Sequence, residues 1–144
     1  MKELNVIVVE DSEDDLIMIL RALKKVGYNH SCIQVETAAG LKGALTNEKW
    51  QLVISDHSTP VFSAPEALNV LQESGRSLPF IIVSGRIDEN FAATLIEKGA
   101  DGYVDKGELS DLGTELKRAL GSQPGCFRLD LQKVEKQKRK YGQN

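Results

Sequence analysis

The feature that most constrains the fold is a short apolar run that ends in a lone carboxylate. Residues 52–56 are Leu, Val, Ile, Ser and Asp, and loop residues follow them. An unbroken run of this kind is typical of a parallel strand buried on both faces. Because open α/β sheets bind their ligands at the carboxyl edge of the strands, Asp56 is predicted to lie where the chemistry takes place.

Three further runs end in polar side chains in the same way. Residues 6–9 are followed by Glu10 and Asp11, residues 80–83 by Ser84, and residues 102–104 by Asp105 and Lys106. Helical patterns separate these runs, and the alternation predicts a parallel sheet covered on both faces. If the strands are parallel, their ends converge and these polar groups share one pocket.

Capping signals predict where the remaining elements begin and end. Ser12, Thr37 and Ser63 stand at predicted helix starts, and Glu66 completes a capping box with Ser63. Gly27 stands at a predicted helix end. The predicted strands are 5–9, 30–35, 52–56, 80–84 and 102–104, and the last helix is predicted over about 110–120. Strand 30–35 is the least hydrophobic, which favours an edge position.

Length and composition restrict the class of protein. The 144 residues fit one domain. With a net charge of -3 and a pI near 5.4, the chain is not predisposed to coat nucleic acid, and we expect no nucleic-acid partner. No apolar run approaches the roughly 20 residues that span a bilayer, and the start lacks a signal-type pattern. We therefore expect a cytoplasmic protein without membrane contact.

The domain is predicted to end near a break in the last helix. Residues 121–125 are rich in Gly and Pro and should interrupt it. We expect residues 1–121 to form the domain and residues 122–144 to be a C-terminal tail or a truncated linker. The basic residues of that tail are more typical of a solvated face than of a nucleic-acid site.

The strand-end side chains suit phosphoryl chemistry. Glu10, Asp11 and Asp56 supply the oxygen ligands that Mg²⁺ prefers. Without a cation, their mutual repulsion should raise at least one of their pKa values. An aspartate in this setting can attack a phosphoryl group and carry it as an aspartyl phosphate. Lys106 and Ser84 are suited to stabilise the developing charge. The pattern predicts a magnesium-dependent phosphoryl-accepting site centred on Asp56.

From about residue 5 to residue 120 the chain resembles the receiver domain of two-component response regulators. The resemblance rests on the acidic pair Glu10 and Asp11, Asp56 four residues before Pro60, Ser84 followed by Gly85, and Tyr103 three residues before Lys106. It implies a flavodoxin-like α/β fold, which is a doubly wound five-stranded parallel sheet of strand order 2-1-3-4-5.

The resemblance also implies a role for each site residue. Asp56 would be the phosphoacceptor, and Lys106 would pair with the phosphoryl group. Mg²⁺ would be held by Asp11 and Asp56, by the backbone carbonyl of Ser58 and, through water, by Glu10. Ser84 would be the switch hydroxyl and Tyr103 the aromatic residue that follows it.

Partners are likewise implied by the resemblance. The phosphoryl donor would be a histidine kinase or a phosphotransfer protein. Signalling would use the last helix-strand-helix face, residues 88–120, and that face could also form a homodimer. Two positions depart from the family pattern: Gly107 stands where Pro is usual, and the residue before Pro60 is not apolar.

Two other functions stay open at this point. A magnesium-dependent phosphatase would pass through a similar acyl phosphate, but such enzymes commonly have a second acid two residues after the nucleophile, where this chain has Ser58. An inert receiver-like interaction module would have the fold without the reaction. We expect a signalling phosphoacceptor that assists its own phosphotransfer and dephosphorylation, not an enzyme.

Overall fold

The computed structural model describes residues 2–57, 62–85 and 89–120. Within these ranges five strands alternate with five helices. The strands are β1 (Lys2–Val9), β2 (Tyr28–Val35), β3 (Leu52–Asp56), β4 (Phe80–Ser84) and β5 (Gly102–Asp105). The helices are α1 (Glu13–Lys25), α2 (Ala38–Leu45), α3 (Ala64–Glu73), α4 (Glu89–Lys98) and α5 (Leu112–Leu120). A 3-10 helix (Lys106–Asp111) precedes α5.

The strands form one parallel sheet in the order β2-β1-β3-β4-β5. This is the doubly wound, flavodoxin-like topology predicted from the sequence, and β2 lies at an edge as expected. Asp56 is the register partner of Val83, and Ser84 is the partner of Asp105. The carboxyl ends of the strands therefore lie level, at one edge of the sheet.

Strand side chains alternate between the two faces of the sheet, and each face has its own hydrophobic core. One core lies between the sheet and the pair α1 and α5; its strand residues include Val8, Ile54, Val83 and Val104. The other lies under α2, α3 and α4; its strand residues include Val53, Phe80, Ile82 and Tyr103. Because both faces are covered, the central strands β3 and β4 are buried along their whole length.

Capping contacts set the ends of the helices. The Ser12 hydroxyl accepts a hydrogen bond from the N–H of Asp15 and starts α1. Ser63 and Glu66 form the predicted capping box of α3. Beyond the end of α1, Gly27 has φ of 103°, a conformation that glycine adopts without steric cost.

The structure corrects several predicted bounds. β1 begins at Lys2 and β2 at Tyr28, because the first residues of the two strands pair with each other. α5 begins at Leu112, since the Asp105 carboxylate accepts the N–H of Gly107 and starts the 3-10 helix. The predicted tail, residues 122–144, lies outside the described residues.

Among the described residues, no helix combines the length and apolar character needed to cross a membrane.

Candidate functional site

The alternation of side chains places three predicted site residues on one face. Residues two apart in a strand point to the same face of the sheet. Asp56 comes two residues after Ile54, Glu10 two after Val8, and Lys106 two after Val104. All three therefore point toward the face that α1 and α5 cover. They meet at the carboxyl edge, beyond the end of the hydrophobic core.

The centre of the site is the Lys106 ammonium group. Its Nζ lies 2.7 Å from Oδ2 of Asp56 and donates a hydrogen bond to it. The Asp56 side chain is only 3% exposed, and that of Lys106 is 13% exposed. A charge-assisted contact of this length inside a largely buried pocket is stronger than the same pair on the surface. The structure thus joins the two predicted reacting residues directly.

Glu10 lies in the same pocket and is fully buried. Its Oε2 accepts the N–H of Ser12, and Oε1 lies 3.7 Å from Nζ of Lys106. Within the described part of the chain, Oε1 has no hydrogen-bond partner. Burial, followed by the neighbouring Asp56 carboxylate, raises the pKa of Glu10 from 4.5 to about 8. Repulsion by Asp56 is thus a smaller cause of the raised Glu10 pKa than burial.

The converging acids differ in one member from the predicted trio. Carboxylate oxygens of Glu10, Asp15 and Asp56 lie within 4.8 Å of one another. Asp11 is exposed and does not belong to this group. Asp15, an acid in the first turn of α1, was not among the predicted site residues. The available signal was topological: the helix that follows β1 begins at the same edge where Asp56 emerges.

The two predicted switch residues lie on the opposite face of the sheet. Ser84 points to the same face of the sheet as Phe80 and Ile82, and it is fully buried. Tyr103, on the neighbouring strand β5, is 6% exposed and belongs to the same core. The sheet therefore separates the pocket of Asp56 and Lys106 from the core that contains Tyr103, and Ser84, at the end of β4, lies on the Tyr103 side.

His57 does not share the pocket. Its ring contacts the ring of Phe91 in α4, with centroids 4.3 Å apart. Neighbouring residues of a strand face opposite sides of the sheet, so the residue after Asp56 lies on the side that α4 covers. Ser58, whose backbone carbonyl was a predicted metal ligand, lies outside the described residues.

Two glycines shape the surroundings of Lys106. A Cβ at Gly85 would lie 3.9 Å from Cδ of Lys106, so the lysine stem passes close over this backbone. The N–H of Gly107 donates to Oδ1 of Asp105 at 2.7 Å. Proline, the usual family residue here, has no such N–H, and the departure therefore adds a local hydrogen bond.

The acidic group fits a magnesium ion in its chemistry. All its possible metal ligands are carboxylate oxygens, which Mg²⁺ prefers. Among the described residues, the buried Oε1 of Glu10 has no hydrogen-bond partner. A cation would also favour the charged form of Glu10, whose pKa is raised by burial and by the neighbouring Asp56. The residues present could therefore hold a divalent ion.

The family model described as "Response regulator receiver domain" matches residues 6–117. The chain belongs to this family. Such receivers are the signalling domains of two-component systems. Response regulator ArlR of Staphylococcus haemolyticus is 30% identical to this receiver domain over 133 residues, which cover 91% of this chain and 59% of ArlR. The chain thus spans little more than half the length of that relative.

Solved structures show the same fold. The receiver domain protein from Clostridium thermocellum superposes with a TM-score of 0.68 at 22% identity, over 82% of this chain and 94% of that chain. The receiver domain of the sensor histidine kinase PA1611 from Pseudomonas aeruginosa superposes with a TM-score of 0.67 at 20% identity, over 83% and 99%. That structure has a magnesium ion coordinated in its active site cleft.

Proposed function

We propose that this receiver domain accepts a phosphoryl group on Asp56 from a histidine kinase or a phosphotransfer protein, with Mg²⁺ as cofactor. The observation that carries the proposal is the 2.7 Å contact between Lys106 Nζ and Asp56 Oδ2, in a pocket that also holds the buried Glu10 carboxyl group. A nucleophilic carboxylate is thereby paired with a fixed cation.

The proposed reaction is a phosphoryl transfer between two side chains. A carboxylate oxygen of Asp56 forms the new bond to phosphorus, and the bond from phosphorus to the donor histidine nitrogen breaks. The imidazole leaves with the bonding electron pair and takes up a proton. Because this transfer needs little covalent help from the protein, positioning and charge stabilisation supply the catalysis.

The chain's own groups would each contribute to this transfer. Lys106 holds its ammonium group where charge develops on the phosphoryl oxygens. Asp56 and Asp11, the Ser58 carbonyl and, through water, Glu10 would hold the metal, as the family resemblance implies. Bound Mg²⁺ would neutralise phosphoryl and carboxylate charge.

The proposed output is a change of partner binding. An aspartyl phosphate adds negative charge at the strand edge, and the Ser84 hydroxyl at the end of β4 would turn toward it. Tyr103 would follow in the core under α4, so the state that binds partners through α4, β5 and α5 becomes more populated. A homodimer through this face and a cytoplasmic location stay predictions.

The experiment uses a small phosphodonor in place of the kinase. The full chain is incubated with acetyl phosphate and Mg²⁺, and intact mass is followed with time. We expect the mass of one phosphoryl group to be added to the wild type. We expect no addition to Asp56→Asn and none when EDTA removes the metal.

The control is Asp14→Asn, which changes an exposed carboxylate on α1 and should react like the wild type. A wild-type chain that takes up no phosphoryl group would favour the inert module. Continuous hydrolysis of a phosphate ester, with no accumulated phosphoprotein, would favour the phosphatase.

A further inference from the structure

Asp15 makes a contact that the proposed function does not use. Its Oδ2 lies 2.7 Å from Nζ of Lys106, the same distance that separates Nζ from Oδ2 of Asp56. Lys106 therefore bridges an acid on helix α1 and an acid at the end of strand β3. The Asp15 side chain is 33% exposed, so it forms the outer wall of the pocket.

The first turn of helix α1 fixes the backbone from which the Asp15 carboxylate projects. Asp15 is the third residue of α1, and its N–H donates to the Ser12 hydroxyl at 3.3 Å. Ser12 is tied in turn to Glu10, whose carboxylate accepts the Ser12 N–H at 3.1 Å. Asp15 thus projects from a hydrogen-bonded helix turn, whereas Lys106 reaches the pocket on a flexible four-carbon stem.

The donors of the ammonium group suit a shared contact. A lysine ammonium group has three N–H donors. Two are directed to Asp15 and Asp56, and the Glu10 oxygen at 3.7 Å is beyond hydrogen-bond length. One donor can therefore bind a further acceptor while both carboxylates keep theirs.

We propose that Asp15 is a positioning residue that anchors the Lys106 ammonium group beside Asp56 and so directs its remaining N–H to the incoming phosphoryl group. The proposal rests on the phosphoryl acceptance proposed above. The other first-turn acids of α1 are Glu13 and Asp14, which are exposed and only place negative charge near the helix N-terminus. Asp15 differs from them by its direct contact with a reacting residue.

The first test needs no reaction. Lysine side chains are labelled with ¹³C at Cε and observed by NMR. The Lys106 signal is assigned by its absence from the spectrum of Lys106→Met. In the full chain with EDTA, we expect Asp15→Asn to move and sharpen the Lys106 signal, because the freed ammonium group samples more rotamers. The matched control Asp14→Asn removes the same charge from the same helical turn and should leave the signal in place.

The second test measures the rate of phosphorylation by acetyl phosphate at saturating Mg²⁺. We expect Asp15→Asn to react at least about tenfold more slowly, because misplacing a catalytic group by about 1 Å can cost as much as about 100-fold in rate. Asp15→Glu should recover part of the loss, and Asp14→Asn should react like the wild type.

The outcomes separate this inference from the proposed function. If the wild type takes up no phosphoryl group, the proposed function fails. The NMR signal of Lys106 still tests whether Asp15 positions the ammonium group. If the wild type reacts and Asp15→Asn matches Asp14→Asn in both tests, the anchor is refuted. An unmoved Lys106 signal with a large loss of Mg²⁺ affinity in Asp15→Asn would make Asp15 a metal ligand and overturn the proposal.

Discussion

At the scale of single residues, Glu10 should make the stability of the metal-free protein depend on pH. Burial and the neighbouring Asp56 raise its pKa from 4.5 to about 8. Between these values the folded state binds more protons than the unfolded state, so the free energy of unfolding falls as pH rises. The contribution is fully present below about 4.5 and is lost as pH passes through about 8.

Urea unfolding between pH 5 and 8, with EDTA present, measures this dependence. We expect stability to fall by at most about 1.4 kcal/mol per pH unit. Glu10→Gln, which imitates the protonated side chain, should remove that slope. The raised pKa of Lys106 does not interfere, since its contribution is lost only at a pH above its ordinary value of 10.5. Equal slopes in the two proteins would contradict the assignment to Glu10.

At the scale of elements, local chemistry predicted the strands and caps that depend on their own residues. β3 was predicted over 52–56 and β4 over 80–84, and both predictions are confirmed. A continuous apolar run is typical of a strand that is buried on both faces of a parallel sheet. α5 begins at Leu112, slightly after the predicted start near residue 110, since the 3-10 helix before it depends on a hydrogen bond to Asp105. Lys106 and Asp56 were predicted to meet; the contribution of Asp15 was not, because it needs the packing of α1 against the strand edge.

Arg76 offers a test of how elements are joined. Its guanidinium group donates to the carbonyl of Leu45 at 2.7 Å, of Asn47 at 3.2 Å and of Trp50 at 3.3 Å. It thereby ties the segment after α3 to the connection between α2 and β3. We expect Arg76→Ala to lower the free energy of unfolding by about 1.5–3 kcal/mol, the usual worth of hydrogen bonds to a charged group.

Urea unfolding of Arg76→Lys supplies the matched comparison. Lysine keeps the charge, but its compact ammonium group cannot reach three carbonyls as a planar fork does. Its stability should fall between those of the wild type and Arg76→Ala. If Arg76→Ala unfolds at the wild-type urea concentration, these hydrogen bonds contribute nothing to joining the elements.

At the scale of the whole molecule, the described cores indicate where the domain ends. Both cores of the described chain are built from residues between Leu4 and Leu120, and the family match ends at residue 117. We therefore expect a chain ending at residue 121 to unfold within about 0.5 kcal/mol of the full chain. Urea unfolding of both chains checks this, and a larger loss would place the domain boundary inside residues 122–144.

We propose that Asp56, held beside Lys106, takes up the phosphoryl group. Borohydride reduces an aspartyl phosphate to the corresponding alcohol, and peptide mapping by mass spectrometry locates the reduced residue. After treatment with acetyl phosphate and Mg²⁺, we expect reduction at Asp56 alone, and none when EDTA is present. Reduction at another carboxylate, such as Glu10 or Asp15, with Asp56 intact would contradict it.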